Sequence, residues 1–203
     1  LLADSNGQRK EEAYATLRRR YDGYHFDCRL NSGLYNPFSV LNTLSKRTYG
    51  SYWFNTGTPT YLVELIKEAH FNIEQLSNYI ASEDQLNSIH VESIDPIPVL
   101  FQSGYLTISE YNQEFSLYTL DYPNEEVKAG FINFLLPYYS QIKERQTQSL
   151  ISKFVMSVRT GNATDFMQQL QSLMAGTPYE LVRELENHYQ NVMYIITKLM
   201  GFY

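Results

Sequence analysis

The chain has 203 residues, a formal net charge of −6, 43% hydrophobic residues and 19% charged residues. This length and balance allow one sizeable domain or two small ones around a packed core, and disorder is not expected. The negative charge speaks against strong non-specific nucleic-acid binding. No apolar run approaches the roughly 18 residues of a membrane span, and a single cysteine, Cys28, rules out an internal disulfide and fits a cytoplasmic setting.

Residues 8–20 are rich in helix formers, with Ala13 and Leu17 on one face. Arg18-Arg19-Arg20 follows Glu11 and Glu12 on the same segment and reads as a solvated face rather than a phosphate clamp. In Tyr21-Asp22-Gly23-Tyr24 the Asp-Gly pair predicts a turn, because glycine accepts a positive φ without a Cβ clash. Asn36-Pro37 predicts the next helix start, Asn as N-cap and Pro at the first position, with Val40, Leu41 and Leu44 as its apolar face. Thr58-Pro59 repeats the device and opens a helix burying Tyr61, Leu62, Leu65, Ile66 and Ala69. A short helix with Ile73, Leu76 and Ile80 inward is expected next, then a polar connection over 82–93 holding at most one short strand.

Asp95-Pro96 starts a short helix through Val99, Leu100 and Phe101, with Gly104 placed to end it. Residues 105–111 and 115–120 alternate around Tyr111-Asn112-Gln113-Glu114 and predict a β-hairpin. Leu106 and Ile108 share a face of one strand, and Phe115, Leu117 and Thr119 a face of the other. A helix followed by a two-stranded wing is the tail of a winged-helix layout. From Asn124 onward the chain reads as helical. The first helix carries Glu125 and Glu126 in its first turn, a stripe of Val127, Phe131, Phe134, Leu135 and Tyr138, and a kink or end at Pro137. Helices over 148–159 (Ile151, Phe154 and Val158 inward) and from Asn162 to Gly176 follow. Thr177-Pro178-Tyr179-Glu180 is a capping box that launches a last helix with the stripe Leu181, Leu185, Tyr189, Val192, Ile196 and Leu199.

Several chemistries find no support. None of the ten glycines is followed by Lys, so a phosphate-binding P-loop is missing. His25, His70, His90 and His188 have no metal-ligand spacing to one another or to Cys28. Gly-x-Ser-x-Gly is absent as well. Asp121, Glu126 and Lys128 match a loose Asp…Glu-x-Lys nuclease string. That chemistry places Glu and Lys two apart on a strand, whereas on a helix they diverge by about 200°.

Taken together, Tyr21-Asp22-Gly23-Tyr24, Leu34-Tyr35-Asn36-Pro37-Phe38-Ser39-Val40-Leu41, Tyr52-Trp53-Phe54-Asn55-Thr56-Gly57-Thr58-Pro59 and Phe101-Gln102-Ser103-Gly104-Tyr105-Leu106-Thr107-Ile108 resemble the C-terminal part of the bacterial AAA-ATPase-like family. Members of that family usually continue into a PD-(D/E)XK nuclease-like domain. The resemblance spans residues 8–130 and continues more weakly to Tyr203, where Glu186-Asn187-His188-Tyr189 looks like the helix opening that second domain. It implies ATP and a divalent metal for the parent protein, held at sites outside this chain, and no cofactor in this segment. Two candidate roles carry over. Glu186 would be the opening-helix acid of the nuclease-like domain, against the plainer reading of a surface residue on an amphipathic helix. Asp22 and Tyr24 would contact a bound phosphate network or a moving lid interface, against the reading of an aromatic structural turn.

The expected architecture is mainly α with a small β-hairpin (α+β). It comprises a helical lid over 1–81, a winged-helix-like unit over 82–123 with its hairpin at 105–120, and a helical bridge over 124–203. The chain opens Leu1-Leu2-Ala3-Asp4 without a leader and stops soon after Met200, so an internal, non-catalytic piece of a larger protein is expected. The expected role is coupling an intramolecular ATPase core to a nuclease-like domain. The alternatives are a nucleic-acid-binding winged helix, disfavoured because 96–120 contains no Lys or Arg, and a surface for a protein partner or homo-oligomer.

Overall fold

The computed structural model describes residues 7–30, 32–56, 60–87, 95–140, 142–175 and 185–201. Within them the chain is mostly helical with one three-stranded antiparallel sheet, the α+β class expected from sequence. It forms two compact units, Leu1–Ala69 with Gln75–Gly130, and His70–Glu74 with Phe131–Tyr203.

In the first unit, α1 (Gly7–Tyr21) buries Ala13, Leu17 and Tyr21. The triple arginine lies along its outer side, where Arg18 pairs with Asp22 and Arg19 with Glu125. Helix α2 (Pro37–Lys46) starts as the sequence predicts, with Asn36 Oδ1 accepting from Ser39 N at 3.2 Å. Its orientation is the opposite of the expected one. Ser39 and Thr43 are fully buried, while Leu41 and Leu44 face outward. Thr43 is placed by the Tyr21 hydroxyl, which accepts from Thr43 Oγ1 and Gly50 N and donates to Gly50 O. The hydrogen bond makes Thr43 cheap to bury, whereas the Ser39 hydroxyl on the same face is buried without a hydrogen-bond partner among the described residues. Helix α3 (Thr60–Glu68) buries Leu62, Val63, Leu65 and Ile66 but leaves Tyr61 exposed. Its expected cap at Thr58-Pro59 lies outside the described residues.

After the 3-10 turn Ile73–Leu76, the expected helix gives way to strand β1 (Tyr79–Ser82), and Ile80 points outward. Asn78 takes a positive φ of 59° just before β1, which breaks any helical continuation. Helix α4 (Glu83–Asn87) follows, then α5 (Pro96–Gln102), capped by Asp95 Oδ1 on Ile97 N at 2.9 Å and ended at Gly104, φ 79°. The hairpin forms from β2 (Thr107–Asn112) and β3 (Leu117–Asp121), and β1 pairs antiparallel with the free edge of β3, giving the order β1-β3-β2. Phe115 sits in the exposed turn rather than on the sheet face, and Leu120 is the β3 residue that enters the core.

Helix α6 (Glu125–Tyr139) is capped by Asn124 Oδ1 on Val127 N at 3.0 Å, and the division between the units falls inside it. Pro137 does not stop it before Tyr139. In the second unit α7 (Glu144–Arg159) buries Ile151, Phe154 and Val155 while Val158 faces out. Helix α8 (Ala163–Met174) is capped by Asn162 on Asp165 N, and α9 (Leu185–Met200) buries Val192, Ile195, Ile196 and Leu199. Gly176, the capping box at 177–180 and Leu181 lie outside the described residues. Asn191 of α9 holds the 70–74 strip, accepting from Ile73 N at 2.8 Å and donating to Phe71 O at 3.0 Å. Among the described residues no helix is long and apolar enough to cross a membrane.

Candidate functional site

Four of the sequence strings meet at one place in the first unit. The turn after α1 starts it. Asp22 is buried, its Oδ1 accepting from Gly23 N at 2.8 Å and its Oδ2 facing Arg18. Gly23 has φ 110°, and a Cβ there would stand 2.1 Å from the carbonyl oxygen of Pro123, so only glycine lets the turn lie against the segment leading into α6. Tyr24 then pairs as an isolated antiparallel bridge with Leu34, and Asn36 N donates to Tyr21 O at 2.8 Å. One residue further, His25 N donates to Thr107 Oγ1, and the Thr107 hydroxyl donates back to His25 O. The turn is thereby tied to α2 on one side and to β2 on the other.

The buried side chains of Asn36, Asn124 and Glu126 stand near the Tyr24 hydroxyl. Burial pushes its pKa up to about 12; the charge of Glu126 adds to this, and the neighbouring Asn36 and Asn124 side chains work the other way. Tyr105 beside it is likewise pushed up to about 12, by burial first and by Tyr24 second. Trp53 packs on Tyr105 with ring centres 4.8 Å apart, and Phe54 closes the cluster edge-on. Gly130 of α6 provides the room for Phe54, since a Cβ there would meet its ring at 2.3 Å.

Glu126 is the residue at the centre. Only 1% exposed, it accepts from Tyr52 N at 2.5 Å and Trp53 N at 3.1 Å through Oε1. Its position in the first turn of α6 also sets the carboxylate against the positive end of the helix dipole. Among the described residues no donor reaches Oε2. The sequence places Glu126 in a first turn as a helix-dipole acid, and nothing local distinguishes it from Glu125, which pairs with Arg19. Its burial depends on two amides more than 70 residues earlier in the chain.

The other candidates have their own local surroundings. Glu186 is exposed in the first turn of α9, its Oε1 reached by Gln190 Nε2 at 3.3 Å. Asp121 closes β3 and accepts from Tyr122 N, and Lys128 lies over the Tyr122 ring, so these residues are engaged locally. Among the described residues no three His, Cys, Asp or Glu side chains form a metal-ligating group. What the junction offers chemically is one desolvated carboxylate that fixes a loop, surrounded by tyrosines and asparagines.

No protein-family profile matches the chain, and no solved structure matches it. It is 32% identical over 188 residues to a protein of Azotobacter chroococcum mcd 1 described as the uncharacterised protein in the vnfD 5' region. The match covers 88% of this chain and 35% of that protein, so the chain spans about a third of the length of the relative it matches.

Proposed function

We propose that this chain is a non-catalytic coupling segment of an AAA-ATPase-like protein, linking a nucleotide-binding core to a nuclease-like effector domain. ATP and a divalent metal belong to the parent protein in this reading, and the segment supplies the moving parts. One observation carries it: the motif strings converge on the buried Glu126, four residues before the chain leaves the first unit at Gly130. A carboxylate that clamps two loop amides has discrete made and broken states, which suits an element that relays a change at one end of a helix. Asp22 and Tyr24 contribute by holding the turn that packs on this clamp, rather than by touching phosphate. Glu186, exposed in the first turn of α9, keeps only its role by resemblance as an acid of the downstream domain. The setting we infer is cytoplasmic.

Hydrogen exchange on the full-length protein tests this. Nucleotide should change protection across residues 21–60 and the first turn of α6. Unchanged protection there, or flanking sequence without a P-loop, would sink the proposal.

A winged-helix reading is favoured by the order α3-β1-α4-α5-β2-β3 with sheet order β1-β3-β2. Because α5 and the hairpin carry no Lys or Arg, such a unit fits a protein surface better than a phosphate backbone. DNA binding that weakens steeply with salt would reverse that preference, and concentration-dependent assembly without DNA would favour an oligomerisation surface.

A further inference from the structure

The chain leaves the first unit after Ala69 and returns to it at Gln75, so residues 70–74 are a short strip of the second unit inserted between α3 and β1. Side chains of α9 take up its main chain. Asn187 Nδ2 donates to His70 O, and one turn further along the helix Asn191 bonds both sides of Asn72, donating to Phe71 O and accepting from Ile73 N. Asn191 is 1% exposed, and the buried Tyr139 at the end of α6 stands beside it. Helix α6 is the other stretch of chain that crosses the division, so both crossings arrive at this one amide. Left-handed backbone brackets the strip. His70 has φ 48° and Asn78 φ 59°, a conformation that costs a non-glycine residue free energy and persists where contacts enforce it.

We propose that the 70–74 strip is a releasable strap, latched by Asn191, through which the first unit acts on α9. The proposal deepens the coupling reading and rests on it: α9 is the helix that the resemblance puts at the head of the nuclease-like domain, and the strap gives that helix a held and a freed state. What favours a strap over a fixed seam is the kind of bond. Side-chain amides hold the strip's main chain to α9, so the two can part without unravelling a helix or a strand ladder. Both ends of the strip continue into the first unit, α3 before it and β1 after it, so a shift of either element pulls on the latch directly. Letting go also relaxes the left-handed backbone at His70 and Asn78, which offsets part of the lost bonding.

Two variants of the full-length protein push the latch in opposite directions. Asn191→Leu removes both of its bonds, and His70→Cys with Asn187→Cys, joined by a short bis-maleimide, holds the strap shut; Cys28, which is exposed, is first changed to Ser. Hydrogen exchange is read with and without ATP. In the unmodified protein ATP should change exchange at 70–74 and in the first turns of α9 together with residues 21–60. The cross-link should abolish the response of α9 and leave that of 21–60 intact, a result that a permanently shut, merely structural seam would not give. Asn191→Leu should speed exchange of the Ile73 amide about tenfold without ATP and blunt the ATP response of α9. The variants are independent, so misfolding of Asn191→Leu leaves the cross-link result standing. An α9 response that survives the cross-link overturns the strap, and so does a silent 70–74 strip where 21–60 respond. Silence at 21–60 as well is a different result, which takes down the coupling reading and the strap with it.

Discussion

Replacing Gly23 by alanine should damage the first unit far more than the same change at Gly104, and the comparison isolates why. Both glycines have positive φ, 110° and 79°, so both substitutions carry backbone strain of about 1–3 kcal/mol. They differ in space. At Gly104 the new methyl meets Tyr24 at 3.5 Å, an ordinary contact. At Gly23 it would lie 2.1 Å from the Pro123 carbonyl oxygen, well inside the 3.0 Å that real Cβ atoms essentially never cross. The obstacle is backbone, so the turn itself has to withdraw, taking Tyr24 from the two backbone bonds of its Leu34 bridge. Each lost hydrogen bond adds about 1 kcal/mol, for a total of roughly 3–5 kcal/mol. In a chain of this size that corresponds to a fall in Tm of about 10 °C, against a few degrees for Gly104→Ala. Thermal and urea unfolding followed by circular dichroism measure both. If Gly23→Ala unfolds no earlier than Gly104→Ala, the packing of this turn on the head of α6 is not what requires glycine.

Glu126→Ala strands the buried Tyr52 amide and should cost about 2–5 kcal/mol, whereas Glu126→Gln keeps an acceptor and should cost about 1 kcal/mol. Equal urea midpoints for the two would show that the amide clamp is not the source of stability. Tyr21→Phe removes the hydroxyl shared by Thr43 and Gly50 inside a fully buried site, and should cost about 2–4 kcal/mol by the same assay. Alkaline pH should loosen the fold. Tyr24 and Tyr105 titrate at about 12 when folded and at 10 when unfolded, so the unfolded chain releases their protons first. Their contribution is complete below pH 10 and drains away between 10 and about 12, by at most about 1.4 kcal/mol per pH unit for Tyr24 and by less for Tyr105, which solvent screens more. Tyr24→Phe should flatten that slope, and an unchanged slope contradicts the assignment.

What was legible in the sequence is what is decided within one turn of chain. The helix starts at Asn36, Asp95, Asn124 and Asn162 each bond an amide two or three positions on, because an N-cap needs only its near neighbours in the chain. The hairpin was legible from alternation. Strand β1 was not, since it is four residues long, shows one apolar residue to each side, and is defined by pairing with β3 nearly 40 positions later. Leu41 and Leu44 misled for a related reason: periodicity finds the apolar arc of a helix, but not what that arc faces. The candidate site was half legible. The turn at 21–24 was singled out, while the carboxylate that organises it looked like an ordinary helix-dipole acid.

The bond from Ile73 to Asn191 has a consequence for synthesis. Residues 70–74 emerge from the ribosome long before the helix that holds them, and the two partners are 118 positions apart. At about 5–20 residues per second the strip waits some 6–24 s before Asn191 can bond it. The first unit can close meanwhile, since its last residue is Gly130. Assembly of this protein is therefore ordered in time, and a fragment cut at the division between the units would leave this strip in one piece and its anchor in the other.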